Sequence, residues 1–198
     1  MYSSENAIDI ISRCGGYYKS SILEGLISPR ALFDYLKRRN ELLPLFKRAR
    51  CQGELIYYLP PKYVVPWWNY RPHEVNEYGL FRSFALLLYF KDTLNLPFTG
   101  QLLKSQYPDH PKRTYNGVYR SFDEETNSNY LLIVDYFKSN KKLLSIIDSF
   151  RAYFKPRVSP EYHIITPRNK RELLSVLSFK RPSEIIQVYS YQQLHKIV

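Results

Sequence analysis

The residue types that do chemistry at phosphate or carbonyl centres are sparse in this chain and rarely stand at working distance. Asp135 and Lys138 form a D-x-x-K spacing at the end of the strand-like run YLLIVDYFK, and Pro108-Asp109 supplies a second carboxylate. A divalent metal that activates water beside a phosphate needs oxygen ligands from at least two sides. On an extended strand a spacing of three puts Asp135 and Lys138 on opposite faces, and Asp109 falls in the loop-like YPDHPKR. Asp123, Glu124 and Glu125 stand in a polar turn, where carboxylates are ordinarily just solvated. Cys14 and Cys51 have no second Cys or His at metal spacing, which points to two reduced thiols. No spacing couples either thiol to His73, His110, His163 or His195 as a nucleophile and base. The 19 tyrosines fall mostly in strand-like runs or beside helices, where Tyr is favoured for packing, so a tyrosine nucleophile is not required. The sequence contains no G-x-x-x-x-G-K-[ST], G-x-G-x-x-G or G-x-S-x-G. No catalytic residue, metal or cofactor is therefore expected.

The basic residues are better organised. Between Ser28 and Gln52 stand seven of them (Arg30, Lys37, Arg38, Arg39, Lys47, Arg48, Arg50) against Asp34 and Glu41. The whole chain has 29 Lys and Arg against 18 Asp and Glu, a formal charge of +11, of which residues 1–70 hold +4 and the remainder +7. Such a balance favours a polyanionic partner. The most apolar run, 80–90, is interrupted by Arg82 and is far shorter than the ~20 residues of a membrane span. The opening MYSSENAIDI has no basic region followed by an apolar stretch, so no leader is read there and a cytoplasmic location is expected. Hydrophobic residues at 44% give enough apolar material for a real core in 198 residues.

The elements that must carry the basic cluster are legible in the first third. Ser3 or Ser4 caps a helix with Ala7, Ile8 and Ile11 inward, ended by Gly15-Gly16. A second helix is predicted over 20–26, with Ile22, Leu23 and Leu26 inward. Ser28-Pro29, a cap residue followed by proline at the first helical position, starts a third helix over 29–40 that buries Leu32, Phe33 and Leu36 and turns Arg30, Asp34, Lys37 and Arg38 outward. Strand-like runs at 45–50 and 55–59 flank Cys51-Gln52-Gly53-Glu54, where Gly53 can take the positive φ of a hairpin turn. Three short helices followed by a hairpin is the order of a winged helix-turn-helix, in which the third helix enters the DNA major groove. In that arrangement Arg30, Tyr35 and Lys37 read bases, Lys47, Arg48 and Arg50 position the backbone, and Arg38 and Arg39 add phosphate contacts.

The proline-rich segment 60–72, with Trp67 and Trp68 set to pack at an interface between domains, reads as a connection. Beyond it helices alternate with strands. Helices are predicted over 76–92, 141–154 and 167–177, and strands over 115–122, 130–137, 161–166 and 184–189, with turn-rich sequence from 93 to 113. The order αββαβαβ implies a mixed central sheet covered by helices.

This chain resembles the replication-relaxation family, which includes relaxases that mobilise plasmids. The resemblance is carried by ISRCGGYYKSSILEGL and SPRALFDYLKR, His73 opening the first helix of the second domain, YNGVYR and YLLIVDYFKS on two central strands, and TPRNKRELLSVL over 166–177. It implies a winged helix followed by a restriction-endonuclease-like domain, and DNA binding in plasmid or phage replication, mobilisation or its regulation. The family's Pro-Asp is replaced here by Tyr115-Asn116, and its second-strand Glu by Ile133, so the nuclease acidic motif is degenerate.

The expected fold class is α/β, with an α+β organisation overall: a winged helix-turn-helix at 1–63, a linker at 64–72 and a catalytically inactive endonuclease-like α/β domain at 73–198. The expected partner is double-stranded DNA, with a homodimer and other replication or mobilisation proteins as further partners and no membrane. The alternatives are a metal-dependent nicking enzyme and a protein-interaction module that inhibits a host or phage factor.

Overall fold

The computed structural model describes residues 1–45, 50–51, 53–65, 77–94, 97–99, 118–123, 128–136, 138–154 and 161–197. The chain divides into two compact units, one of Met1–Leu96 with Gln193–Val198 and one of Pro97–Gln192.

The first unit begins with α1 (Ser4–Arg13), whose Ser3 side chain accepts from the Asn6 N–H. It continues through β1 (Tyr17–Tyr18), α2 (Ser20–Leu23) and α3 (Pro29–Arg38). Four short strands follow: β2 (Leu43–Pro44), β3 (Arg50–Cys51), β4 (Glu54–Leu55) and β5 (Tyr57–Tyr58). β5 lies between β1 and β2, antiparallel to both, while β3 and β4 form a separate antiparallel ribbon. Gly53, at φ +82°, turns that ribbon as expected. The hydrophobic interior holds Ala7, Ile11, Leu23, Leu32 and Leu36 with no exposure. α2 is shorter than the expected helix over 20–26 because Gly25 takes φ +84° and breaks the helical run. Of the expected strands 45–50 and 55–59, Arg50 pairs with Leu55 and the Leu45 N–H donates to the Ile56 carbonyl, residues 46–49 lie outside the described residues, and pairing extends further to Leu43–Pro44 with Tyr57–Tyr58. β2 tolerates Pro44 because it is an edge strand.

α4 (Glu77–Thr93) was assigned by sequence to the second domain, yet it packs on α1, α2 and β1 of the first unit. Leu80, Phe81, Phe84 through Phe90 are all buried, so this helix is apolar on every face and needs cover all round. Gly15 makes the close approach possible: at φ +108° it is left-handed, and a Cβ there would lie 2.5 Å from the Ser83 hydroxyl oxygen. Trp67, Trp68 and His73 lie outside the described residues.

The second unit is a five-stranded mixed sheet in the order β10-β9-β8-β7-β6. β6 (Pro97–Thr99), β7 (Val118–Asp123) and β8 (Ser128–Val134) are antiparallel neighbours; β8, β9 (Glu161–Thr166) and β10 (Ile186–Ser190) run parallel. α5 (Asn140–Phe154) joins β8 to β9 and α6 (Lys170–Lys180) joins β9 to β10. Both crossovers advance in the same direction across the sheet, so both helices cover the same face. That face carries Leu131, Ile133, Tyr162, Ile164 and Val188, packed with Leu143, Ile147, Phe150, Leu173 and Leu177. Alternation puts Leu132, Val134, His163 and Ile165 on the opposite face, where they too are buried. The mixed sheet was expected; β6 was not, because three residues led by a proline give no strand pattern, and Pro97 is accommodated on an edge. Among the described residues no helix is long and apolar enough to cross a membrane.

Candidate functional site

Two groups of side chains can do something chemically specific, one in each unit.

In the first unit the outer face of α3 is basic. Ser28 accepts from the Ala31 N–H and Pro29 occupies the first turn, so the helix starts where its sequence dictates. Leu32 and Leu36 seal the inner face, which leaves Arg30, Lys37 and Arg38 exposed. The Arg38 Nε–H donates to the Asp34 carbonyl at 3.2 Å, holding the side chain along the helix. Tyr35 is half-buried beneath the Arg39 guanidinium, which lies 4.0 Å from its ring centroid. Arg39 also hydrogen-bonds Tyr63, whose hydroxyl donates to Glu41 at 2.7 Å, so it is tied into the unit more firmly than Arg30 or Lys37. Behind the helix Tyr18, Phe33 and Tyr57 form an aromatic wedge, with Phe33 and Tyr57 centroids 4.7 Å apart, that joins α3 to β1 and β5. Arg50 stands in β3, while Lys47 and Arg48 lie outside the described residues. The structure thus brings Arg30, Tyr35, Lys37, Arg38 and Arg39 onto one helix and its cap.

In the second unit the carboxyl ends of the three parallel strands converge on Asp135, which has no exposure. Its backbone N–H extends the ladder by donating to the Ile165 carbonyl at 2.8 Å. The carboxylate accepts from the Lys138 N–H at 2.8 Å through Oδ1, and from the Thr166 hydroxyl at 2.8 Å and Arg168 Nε–H at 2.7 Å through Oδ2. Arg168 Nη1–H donates to Asn140 Oδ1 at 2.6 Å, which pins the guanidinium in a second direction. Ser190, at the end of β10, donates its hydroxyl to the Arg168 carbonyl at 2.6 Å and fixes the turn that carries it. Arg168 Nη2 is enclosed and has no hydrogen-bond partner among the described residues, an orphan that costs about 1–3 kcal/mol unless an acceptor reaches it. The Lys138 ammonium donates to the Val134 carbonyl; burial pushes its pKa down to about 8, helped by Lys142 and opposed by Asp135.

The expected separation of Asp135 and Lys138 on opposite strand faces does not occur. β8 ends at Val134, and the Asp135 side chain folds the chain into a turn that brings Lys138 back beside it. Asp109, Tyr115-Asn116, Glu124 and Glu125 lie outside the described residues. With both carboxylate oxygens engaged by protein donors, Asp135 is arranged to hold Arg168 and the β8–α5 turn. Among the described residues no three His, Cys, Asp or Glu side chains come together as a metal-ion cage. Cys14 is fully buried, and burial pushes its thiol pKa up, away from the nucleophilic thiolate. In the sequence Thr166 and Arg168 stand too far from Asp135 for spacing to reveal their role, and the rule that α/β sheets build sites at strand carboxyl ends is the signal available.

Compared with known protein families, characterised proteins and solved structures, the chain matches none.

Proposed function

We propose that this protein is a non-catalytic double-stranded DNA-binding protein, in which the first unit is a winged helix-turn-helix and the second has a restriction-endonuclease-like α/β fold. The observation that carries the proposal is α3: a helix capped by Ser28-Pro29, sealed inward by Leu32 and Leu36, and presenting Arg30, Lys37 and Arg38 to solvent. Its setting supports the same reading, since the element order α-β-α-α followed by antiparallel strands, with β5 between β1 and β2, provides a third helix and a hairpin beside it. For the second unit, support comes from a mixed sheet whose strands lie in chain order with only the second reversed. The resemblance noted in the sequence adds a setting in plasmid or phage replication, mobilisation or its regulation.

The chemistry assigned to each residue follows from its position. Arg30, Tyr35 and Lys37 read base edges; Arg38, Arg39, Lys47, Arg48 and Arg50 contact phosphates, which contribute salt-dependent affinity without sequence information. Fluorescence anisotropy with labelled duplexes tests this. Arg38→Ala and Arg48→Ala each weaken binding to every duplex and reduce the salt slope by roughly 0.9, while Arg30→Ala relaxes preference at one position of a site selected from random DNA. Unchanged slopes in both phosphate variants overturn the assignment.

The proximity of Asp135 and Lys138 favours one second reading, a metal-dependent nicking enzyme. It requires the carboxylate to give up Arg168 and Thr166 to a metal ion. Incubation with supercoiled plasmid and Mg²⁺ or Mn²⁺ separates the two: nicking by the wild type that Lys138→Gln abolishes replaces the non-catalytic reading.

A further inference from the structure

We propose that the carboxyl edge of β8, β9 and β10, where Arg168 is pinned by Asp135 and Asn140 beside Lys138 and Lys142, is a binding site for a phosphate group. The inference deepens the DNA-binding reading and rests on it only for the source of the phosphate.

Several independent features converge there. Arg168 is held by two side chains in two directions, Nε–H to Asp135 and Nη1–H to Asn140, so its planar fork is set before any ligand arrives. A guanidinium fixed in this way matches phosphate geometry and loses little rotamer freedom on binding. Among the described residues its Nη2 is an enclosed donor with no acceptor, while the side chain as a whole is 29% exposed, so a phosphate approaches the guanidinium from its open side. Charge points the same way. Lys138 stands within electrostatic reach of both Asp135 and Lys142, and Lys141, Lys142, Lys170 and Arg171 are exposed on the first turns of α5 and α6 beside a single carboxylate there, Glu172. An anion bound there offsets this surplus of positive charge. Finally, α5 and α6 both begin at this edge, so the positive ends of two helix dipoles add to the field there.

The phosphate has two possible sources, a nucleic-acid backbone or free inorganic phosphate, and one experiment addresses both. The midpoint of thermal unfolding of the full chain is measured at pH 7 in roughly 10 mM phosphate and in chloride of equal ionic strength, too dilute for general salting-out stabilisation. Wild type is compared with Lys142→Gln, an exposed substitution that leaves the fold intact, and with Arg168→Lys. The expected result is a phosphate-dependent rise of about 6 °C or more in wild type at ~10 times Kd, reduced by at least half in Lys142→Gln and abolished in Arg168→Lys. DNA binding is then measured as a function of salt. A slope lower by roughly 0.9 in Lys142→Gln identifies a backbone phosphate; an unchanged slope, with the wild-type thermal shift present and reduced in Lys142→Gln, identifies free phosphate, and either supports the site. A wild type indifferent to phosphate, or a Lys142→Gln variant with the full shift, overturns it. Absence of all DNA binding removes the reading of the first unit and leaves the thermal comparison standing.

Discussion

Asp135→Ala removes a side chain that ties the end of β8 to the end of β9 and to the Arg168 turn before α6. The carboxylate is fully buried and accepts three hydrogen bonds, from the Lys138 N–H, the Thr166 hydroxyl and the Arg168 Nε–H. Hydrogen bonds to charged groups contribute about 1.5–3 kcal/mol each, but their sum overstates the loss. The Arg168 side chain is 29% exposed, so water recovers part of its solvation once the partner is gone, and the Thr166 hydroxyl can rotate to another acceptor. Removing one member of a buried ion pair leaves a net effect of about 3–5 kcal/mol. In a unit of this size each kcal/mol moves the melting point by about 4–8 °C, so the loss exceeds ~10 °C. Native-state hydrogen exchange reads it by location: amides of β8, β9 and β10 lose protection while those of α1 and α3 keep theirs. Combining Asp135→Ala with Arg168→Met recovers part of the loss, because the second change removes the uncompensated charge, and the coupling energy is at least ~1 kcal/mol. A single-variant loss below ~1 kcal/mol, or strict additivity in the cycle, refutes the idea that this carboxylate organises the strand ends.

Two further outcomes follow from local geometry. Gly15→Ala places a Cβ 2.5 Å from the Ser83 hydroxyl oxygen at a residue with φ +108°, so urea denaturation shows a loss of more than ~1 kcal/mol; an unchanged midpoint contradicts the close approach of α4. Burial holds the His163 pKa below its ordinary 6.5, with Glu161, 3.2 Å away, pulling it back only in part. Between the folded value and 6.5 the unfolded chain binds more protons, so this residue's contribution is full above pH 6.5 and is lost as pH falls. His163→Phe, packed between Tyr130 and Tyr189, flattens that acid limb in a stability-versus-pH series; an identical limb in the variant counts against the assignment.

Local chemistry is what made the first unit legible. Ser3 and Ser28-Pro29 start α1 and α3 as their types require, Gly53 turns the ribbon, and the spacing of Leu32 and Leu36 marks the buried face of α3. Elements defined by distant partners were not legible. β1 and β2 are two residues each and exist because Tyr57–Tyr58 pairs with both. α4 carries no amphipathic stripe, so nothing in its sequence says which elements it packs against. The cluster at Asp135 shows the same limit: the D-x-x-K spacing was visible, but treating it as strand hid the turn, and Thr166 and Arg168 enter from 31 and 33 residues away. Seven cations between Ser28 and Gln52 are visible as charge; that the exposed Arg39 guanidinium lies over the Tyr35 ring is not.

The central claim, that this chain binds duplex DNA through a basic helix and hairpin, is tested most directly by the salt dependence of its affinity for a random-sequence duplex. Each neutralised phosphate contributes a slope of roughly −0.9 in log K against log salt. With Arg38, Arg39, Lys47, Arg48 and Arg50 proposed on the backbone, a slope steeper than about −4 is expected, reduced stepwise as these residues are removed. An affinity that does not respond to salt, or no measurable affinity at low salt, contradicts it.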